Sequence, residues 1–240
     1  ERLQGVKRWM FWFFWYFLPE KNCTVITVVS QASKRELIKN LKCSPDKVVV
    51  IHNNVSDEFK KKPKVFNSEY PNILQVGTTE NKNIPRIASA LKGLKCRLSI
   101  IGPLSGKQLR ALENNDIDYE NHVGLSRSDL LAQYEQSDLV MFASLYEGFG
   151  LPILEANAVG RPVVTSQLYS MPEVGGDAAC YVDPYNVSMI RAGLLKVIND
   201  KVYREQLVAN GYCNVRRFRT ADIARKYANL YRKVAANGET

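Results

Sequence analysis

Two glutamates, Glu147 and Glu155, lie eight positions apart around the turn Gly148-Phe149-Gly150-Leu151-Pro152 in SLYEGFGLPILEANAVG. Gly148 and Gly150 let the backbone turn tightly and come close to a ligand. Pro152 suits the opening of a helix, where its missing N–H leaves no hydrogen bond unmade. A helix starting there aims free N–H groups at an anion above it, and a pyrophosphate is a fitting occupant. Glu155 sits one turn further in, and Glu147 stands on the strand side of the turn, so the pattern suits a ligand carrying both phosphate and sugar hydroxyls. Taken singly, Glu155 also reads as an exposed helix glutamate and Glu147 as a partner of the helix dipole.

Other residues compete for chemistry. The loop VGTTENKN offers Gly77, Thr78 and Lys82 after a strand, and Gly102 ends the apolar run SIIG at a turn that must stay small. Asp116 and Asp118 have the spacing of a pair that holds a divalent cation on a sugar diphosphate. They fall at the opening of the strand DYENHVG, however, which puts them at its far end, and no metal site is expected. His52 and His122 have no partners at metal or triad spacing and read as structural.

These residues need elements to position them. From residue 70 to about 220, apolar strands (NILQVG, CRLSIIG, DYENHVG, DLVMFAS, PVVTS, ACYVD) alternate with amphipathic helices. That rhythm predicts an α/β fold, a doubly wound parallel sheet of Rossmann-like type covered on both faces. Gly77, Gly102, Gly124 and Gly148 then fall at strand C-terminal ends, where open parallel sheets bind ligands. The stretch SDEFKKKPKVFNSEYP has no periodicity and reads as a flexible linker. The expected division is 1–66, a partial second domain with linker, and 67–240, the larger domain with its C-terminal helices. Residues 1–66 hold too few elements to bury a core alone, so they read as the tail of an incomplete domain. Within them, Thr24 to Val29 reads as a strand leading into a helix that Ser30 or Ser33 caps, with Glu36 in capping-box position to Ser33.

Composition bounds the rest. Of the net charge of +9, +7 lies between Glu1 and Lys64, but no nucleic-acid-binding signature accompanies it and nucleic acid is not an expected partner. Five scattered cysteines without Cys-x-x-Cys spacing read as reduced thiols of a cytoplasmic protein. KRWMFWFFWYFLPEK carries eight aromatics between Trp9 and Phe17. Its apolar run of about ten residues is roughly half a bilayer span. It is either a helix buried between elements or an interfacial anchor, with residues 7–18 touching the inner face of a membrane.

VGTTENKN, IIGPLSG, HVGLSRSDLLAQYEQSDLVMFASLYEGFGLPILEANAVGRPVVTS and MPEVGGDAACYVDP, in that order, resemble the nucleotide-sugar-binding half of retaining glycosyltransferase family 4, of the two-domain GT-B architecture. VITVVSQASKRELIKNL and VVVIHNNV resemble the end of that family's acceptor-side half. The resemblance implies transfer of a sugar from a nucleoside diphosphate-sugar to a glycan or lipid-linked acceptor without a cofactor or metal. It implies that Glu155 accepts hydrogen bonds from the ribose hydroxyls and that Glu147 holds hydroxyls of the transferred sugar. Gly148, Phe149, Gly150 and Leu151 would frame the donor, and the main chain of Val123, Gly124 and Leu125 would read the base. Family members carry an arginine directly after the glycine of VGTTENKN and a lysine beyond it. Lys82 matches the lysine, whereas Thr78 stands in the arginine's place, which weakens the phosphate assignment. A nucleotide-sugar epimerase of the same fold and a non-catalytic donor-binding or membrane-tethering module are the alternatives.

Overall fold

The computed structural model describes residues 5–238, and the chain divides into two compact units, Glu1–Asn53 with Ala221–Thr240, and Asn54–Thr220. The C-terminal helix therefore clusters with the first unit, and the segment read as a linker belongs to the second.

In the first unit, α1 (Val6–Trp12) continues through a π-helical turn, Phe13–Phe17, into α2 (Leu18–Asn22). Then come β1 (Ile26–Val28), α3 (Gln31–Leu41) and β2 (Val48–Val50), and the two short strands pair in parallel. Of the two serines before α3, Ser30 is the cap, its Oγ accepting the Ser33 N–H at 3.0 Å. The aromatic stretch stacks on itself at i,i+4 spacing, Trp9 on Phe13 at 5.3 Å and Phe13 on Phe17 at 5.5 Å. It is not buried: Trp9 is 60% and Trp15 69% exposed. Among the described residues no helix is long and apolar enough to cross a membrane.

The second unit is a six-stranded parallel sheet in the order β5-β4-β3-β6-β7-β8. Its strands are β3 (Asn72–Val76), β4 (Arg97–Ile101), β5 (Tyr119–His122), β6 (Leu139–Phe142), β7 (Val163–Ser166) and β8 (Cys180–Val182). Crossover helices α4 (Ile84–Leu91), α5 (Gly106–Glu113), α6 (Arg127–Gln136), α7 (Leu151–Val159) and the short α8 (Met171–Gly175) cover the faces, and α9 (Val187–Asn199) and α10 (Lys201–Asn214) follow. The chain closes with α11 (Thr220–Gly238). Because helices cover both faces, the central strands are apolar without alternation, and Ile73, Leu74, Leu139, Val140 and Met141 are fully buried. The doubly wound sheet expected from the sequence is present, and its strand order reverses between β3 and β6.

The segment from 57 to 70 is coil, as expected, but it is fastened rather than loose. Asp138, buried just before β6, accepts Lys64 Nζ at 2.6 Å and the N–H groups of Asn67 and Asn72 at 3.1 and 2.8 Å. Phe59 is buried edge-on against Tyr134, with ring centroids 5.3 Å apart. Asp138 and Tyr134 thus fasten it from distant parts of the chain, together with the Lys62 N–H, which donates to the Val159 carbonyl at 3.0 Å.

Candidate functional site

The loops after β3 and β6 meet where the strand order reverses, the place at which open α/β sheets form a ligand crevice. Lys82, carried between β3 and α4, reaches Glu147 after β6, with Nζ 2.6 Å from Oε1. Its ammonium also stands 4.4 Å from the centre of the Phe142 ring. Gly77 makes this path available, since a Cβ there would lie 2.9 Å from Lys82 Cε. Asn81 ties the two loops together. Its amide donates to the Tyr146 carbonyl at 2.8 Å and to Glu147 Oε1 at 3.1 Å, and its own carbonyl accepts the Leu145 N–H at 2.7 Å.

The turn after Glu147 is held from β7. Ser170 Oγ, fully buried, lies 2.9 Å from the Glu147 carbonyl and 2.7 Å from that of Phe149. Phe149 is buried against Phe218, with centroids 5.8 Å apart. Gly148 is half-buried, Gly150 is the residue before α7, and Leu151 begins the helix partly exposed. Pro152 is its second residue rather than its first, a position equally free of an intrahelical N–H bond.

Glu155 lies within α7 and is not the exposed helix glutamate of the simpler reading. Oε2 accepts the hydroxyl of the fully buried Tyr134 at 2.6 Å, and Oε1 stands 4.0 Å from the Arg127 guanidinium. Burial raises the Glu155 pKa above its ordinary value, while the Tyr134 hydrogen bond and Arg127 oppose that rise. Arg127 donates to Glu58 Oε2 at 2.7 Å and lies over the Phe59 ring at 4.7 Å, which leaves it exposed but oriented. Its hydrogen bond lowers the Glu58 pKa.

Thr78 has a structural job where a cation was expected. Its hydroxyl donates to the Pro103 carbonyl at 2.6 Å, and its own carbonyl accepts Gln108 Nε2 at 2.6 Å, locking the β3 loop to the β4 loop. Gly102 must be small for this reason, since a Cβ there would come 2.8 Å from Thr78 Oγ1. Val123 and Gly124 are exposed and Leu125 half-buried in the loop after β5, on the same edge of the sheet but two strands from β3. Asp118, at the opening end of β5, is engaged by the Tyr70 hydroxyl at 2.7 Å and Arg97 Nε at 3.1 Å.

The sequence reading missed Asn81, Arg127, Tyr134 and Ser170. Only Asn81 carried a local signal, as an amide beside Lys82 in a loop after a strand. The others reach the site across 20 or more residues of chain, as Tyr134 reaches Glu155 at a separation of 21.

A family model described as glycosyl transferases group 1 matches residues 56–213. The O-antigen chain mannosyltransferase B of Escherichia coli is 39% identical over 104 residues, 43% of this chain and 27% of that protein. The serotype-specific mannosyltransferase WbdA of Escherichia coli is 29% identical over 227 residues, covering 83% of this chain and 27% of the relative. The chain thus spans about a quarter of the length of these two curated relatives. Among solved structures, HepE from Anabaena in complex with UDP-glucose superposes with a TM-score of 0.76 at 18% identity, covering 91% of this chain and 66% of that one. At that identity the likeness concerns the fold.

Proposed function

The chain belongs to the glycosyl transferases group 1 family, and from that premise we propose that it forms the donor side of an enzyme moving a sugar from a nucleoside diphosphate to a glycan or lipid-linked acceptor. The observation that carries the reading is the convergence of Lys82, Glu147 and the α7 N-terminus at the strand-order reversal, with Glu155 one turn behind. The diphosphate lies over the free N–H groups of α7, and Lys82 neutralises charge as it departs. Glu155 takes the ribose hydroxyls and Glu147 the hydroxyls of the sugar. Mannose is the first candidate sugar, because two relatives are named as mannosyltransferases.

In the proposed retaining course, the bond from the anomeric carbon to the diphosphate oxygen breaks and its electron pair leaves with the diphosphate. The acceptor oxygen bonds to the same face of that carbon, and its proton passes to the departing phosphate. Lys82 and the helix N-terminus supply the charge stabilisation that a metal supplies in other architectures, so the reaction is proposed to need none. The exposed aromatic helix, Trp9 and Trp15 above all, supports a peripheral contact with a membrane surface. Vesicle flotation of the chain with and without residues 7–18 checks that contact, and equal flotation of both forms refutes it.

Calorimetric titration against GDP-mannose, UDP-glucose, ADP-glucose and TDP-glucose, without added metal, tests the donor site. One nucleotide series is expected to bind, and Glu155→Ala to weaken it about ten- to a hundredfold, the worth of hydrogen bonds to a charged group. Binding unchanged in Glu155→Ala overturns the assignment.

A further inference from the structure

A second cavity opens at the opposite edge of the same sheet. It has a volume of about 680 Å³ and lies at the N-terminal ends of β6 and β7, beside Asp138 and Arg161. That size falls in the range of small-molecule sites. The candidate donor site lies beyond the other ends of these strands, so four strand residues, on the order of 13 Å, separate the two edges.

Its lining is strongly cationic. Lys61, Lys64, Arg161, Lys201 and Arg204 face it, against the carboxylates of Asp138 and Glu205. Asp138 is already spent on Lys64 and on two backbone N–H groups. Glu205 stands on the exposed rim, 3.8 Å from Lys201. The two arginines are the unusual members, being 3% and 9% exposed. Arg161 donates to the carbonyls of Tyr134, Lys62, Gly160 and Glu135 at 2.7 to 3.2 Å. Arg204 donates through one nitrogen to the carbonyls of Val197 and Ile198 at 2.8 and 2.9 Å, and lies 4.0 Å over the Phe66 ring. Among the described residues neither guanidinium has a carboxylate within ion-pair distance. Carbonyl dipoles orient a guanidinium but do not remove its charge, and arginine does not deprotonate in proteins. Asp138 and Glu135 act on Arg161, and Glu205, Asp200 and Asp138 on Arg204, yet burial outweighs them at both, so these cations carry a desolvation cost that an entering anion offsets.

The geometry points to this cavity as a binding site for a small molecule bearing a phosphate or pyrophosphate group, separate from the donor site and independent of it. Arg161 and Arg204 are fixed by these carbonyls, which leave Arg204 the N–H groups of Nε and Nη2 for such a group and Arg161 one N–H of Nη2. Lys61, held 4.5 Å over the Tyr212 ring, and Lys201 close on it from the rim. Phe66 and Val208 supply apolar wall for the rest of the molecule.

The test uses inorganic pyrophosphate as the probe, at low ionic strength and up to about 10 mM, enough to saturate a site of about 1 mM Kd. Amide resonances of Lys201 and Val208 report this cavity, and those of Gly77 and Gly150 report the donor site. In Lys82→Ala the Lys201 and Val208 shifts are expected to persist with unchanged affinity. In the double variant Lys61→Glu/Lys201→Glu they should weaken tenfold or more, and Lys61→Arg/Lys201→Arg should keep them. Both lysines are exposed, so the fold tolerates each change. The proposal is overturned if pyrophosphate moves only Gly77 and Gly150, if the charge reversals leave the affinity unchanged, or if nothing shifts at all.

Discussion

Glu147 and Glu155 belong to one motif, yet the protein treats them in opposite ways. Glu147 stands on a loop, meets a full cation at 2.6 Å and is 15% exposed on its side chain, as is its partner Lys82. Glu155 is fixed on a helix, receives a neutral hydroxyl at 2.6 Å and has its nearest cation only at 4.0 Å. The loop carboxylate is paired and able to exchange its partner for ligand groups. The helix carboxylate is positioned by the core and underneutralised, which leaves it acceptor capacity for hydroxyls at a cost to the fold. Function on one side and stability on the other should therefore respond differently to the same kind of change.

The largest effect is expected at the loop. Under the proposed function, Glu147→Ala should slow release of nucleoside diphosphate from the donor by about 10²- to 10³-fold, the scale of losing one preorganised group at a reacting centre. Its stability should fall by about 1 to 3 kcal/mol, because Lys82, 15% exposed, is left without its carboxylate. A chemical denaturation curve run beside the kinetics checks both halves, and a collapse of stability would make Glu147 a structural residue. Tyr134→Phe carries the comparison to the helix. Removing a hydrogen bond to a buried carboxylate should cost about 1.5 to 3 kcal/mol of unfolding free energy, while the ring and its contact with Phe59 remain. A loss well under 1 kcal/mol in urea unfolding would mean that Arg127 alone satisfies Glu155.

The contrast between the two carboxylates shows what could be read from the chain alone. The sheet was legible, because short apolar runs such as NILQV and DLVMF recur in alternation with amphipathic helical stretches. The α7 opening was legible from glycine and proline, whose backbone demands are local. The partners were not. Lys82 and Glu147 are 65 residues apart, and nothing in either neighbourhood encodes a 2.6 Å contact. Tyr134 carried no reading of its own, although its hydroxyl holds Glu155 at 2.6 Å. The segment from 57 to 70 looked flexible because its anchors, Asp138 and Tyr134, lie far along the chain. For the aromatic helix near Trp9 both burial and membrane contact stood open, because an apolar composition alone does not say what covers a helix.

The smallest effect is also the sharpest test of the comparison, because it concerns sign rather than size. Burial raises the Glu155 pKa above its ordinary 4.5, so the folded protein holds that proton more tightly than the unfolded chain does. The stability contributed by the protonated group is complete below about pH 4.5 and is lost as pH rises through the folded-state value. Glu155→Gln keeps an acceptor for Tyr134 but never ionises. Its melting temperature relative to wild type should therefore climb from pH 4 toward pH 7, even as the proposed donor binding is weakened. Thermal unfolding of both proteins across that range decides the matter. A difference that stays flat or falls would mean that the Tyr134 hydroxyl and Arg127 outweigh burial, and that Glu155 is as well neutralised as Glu147.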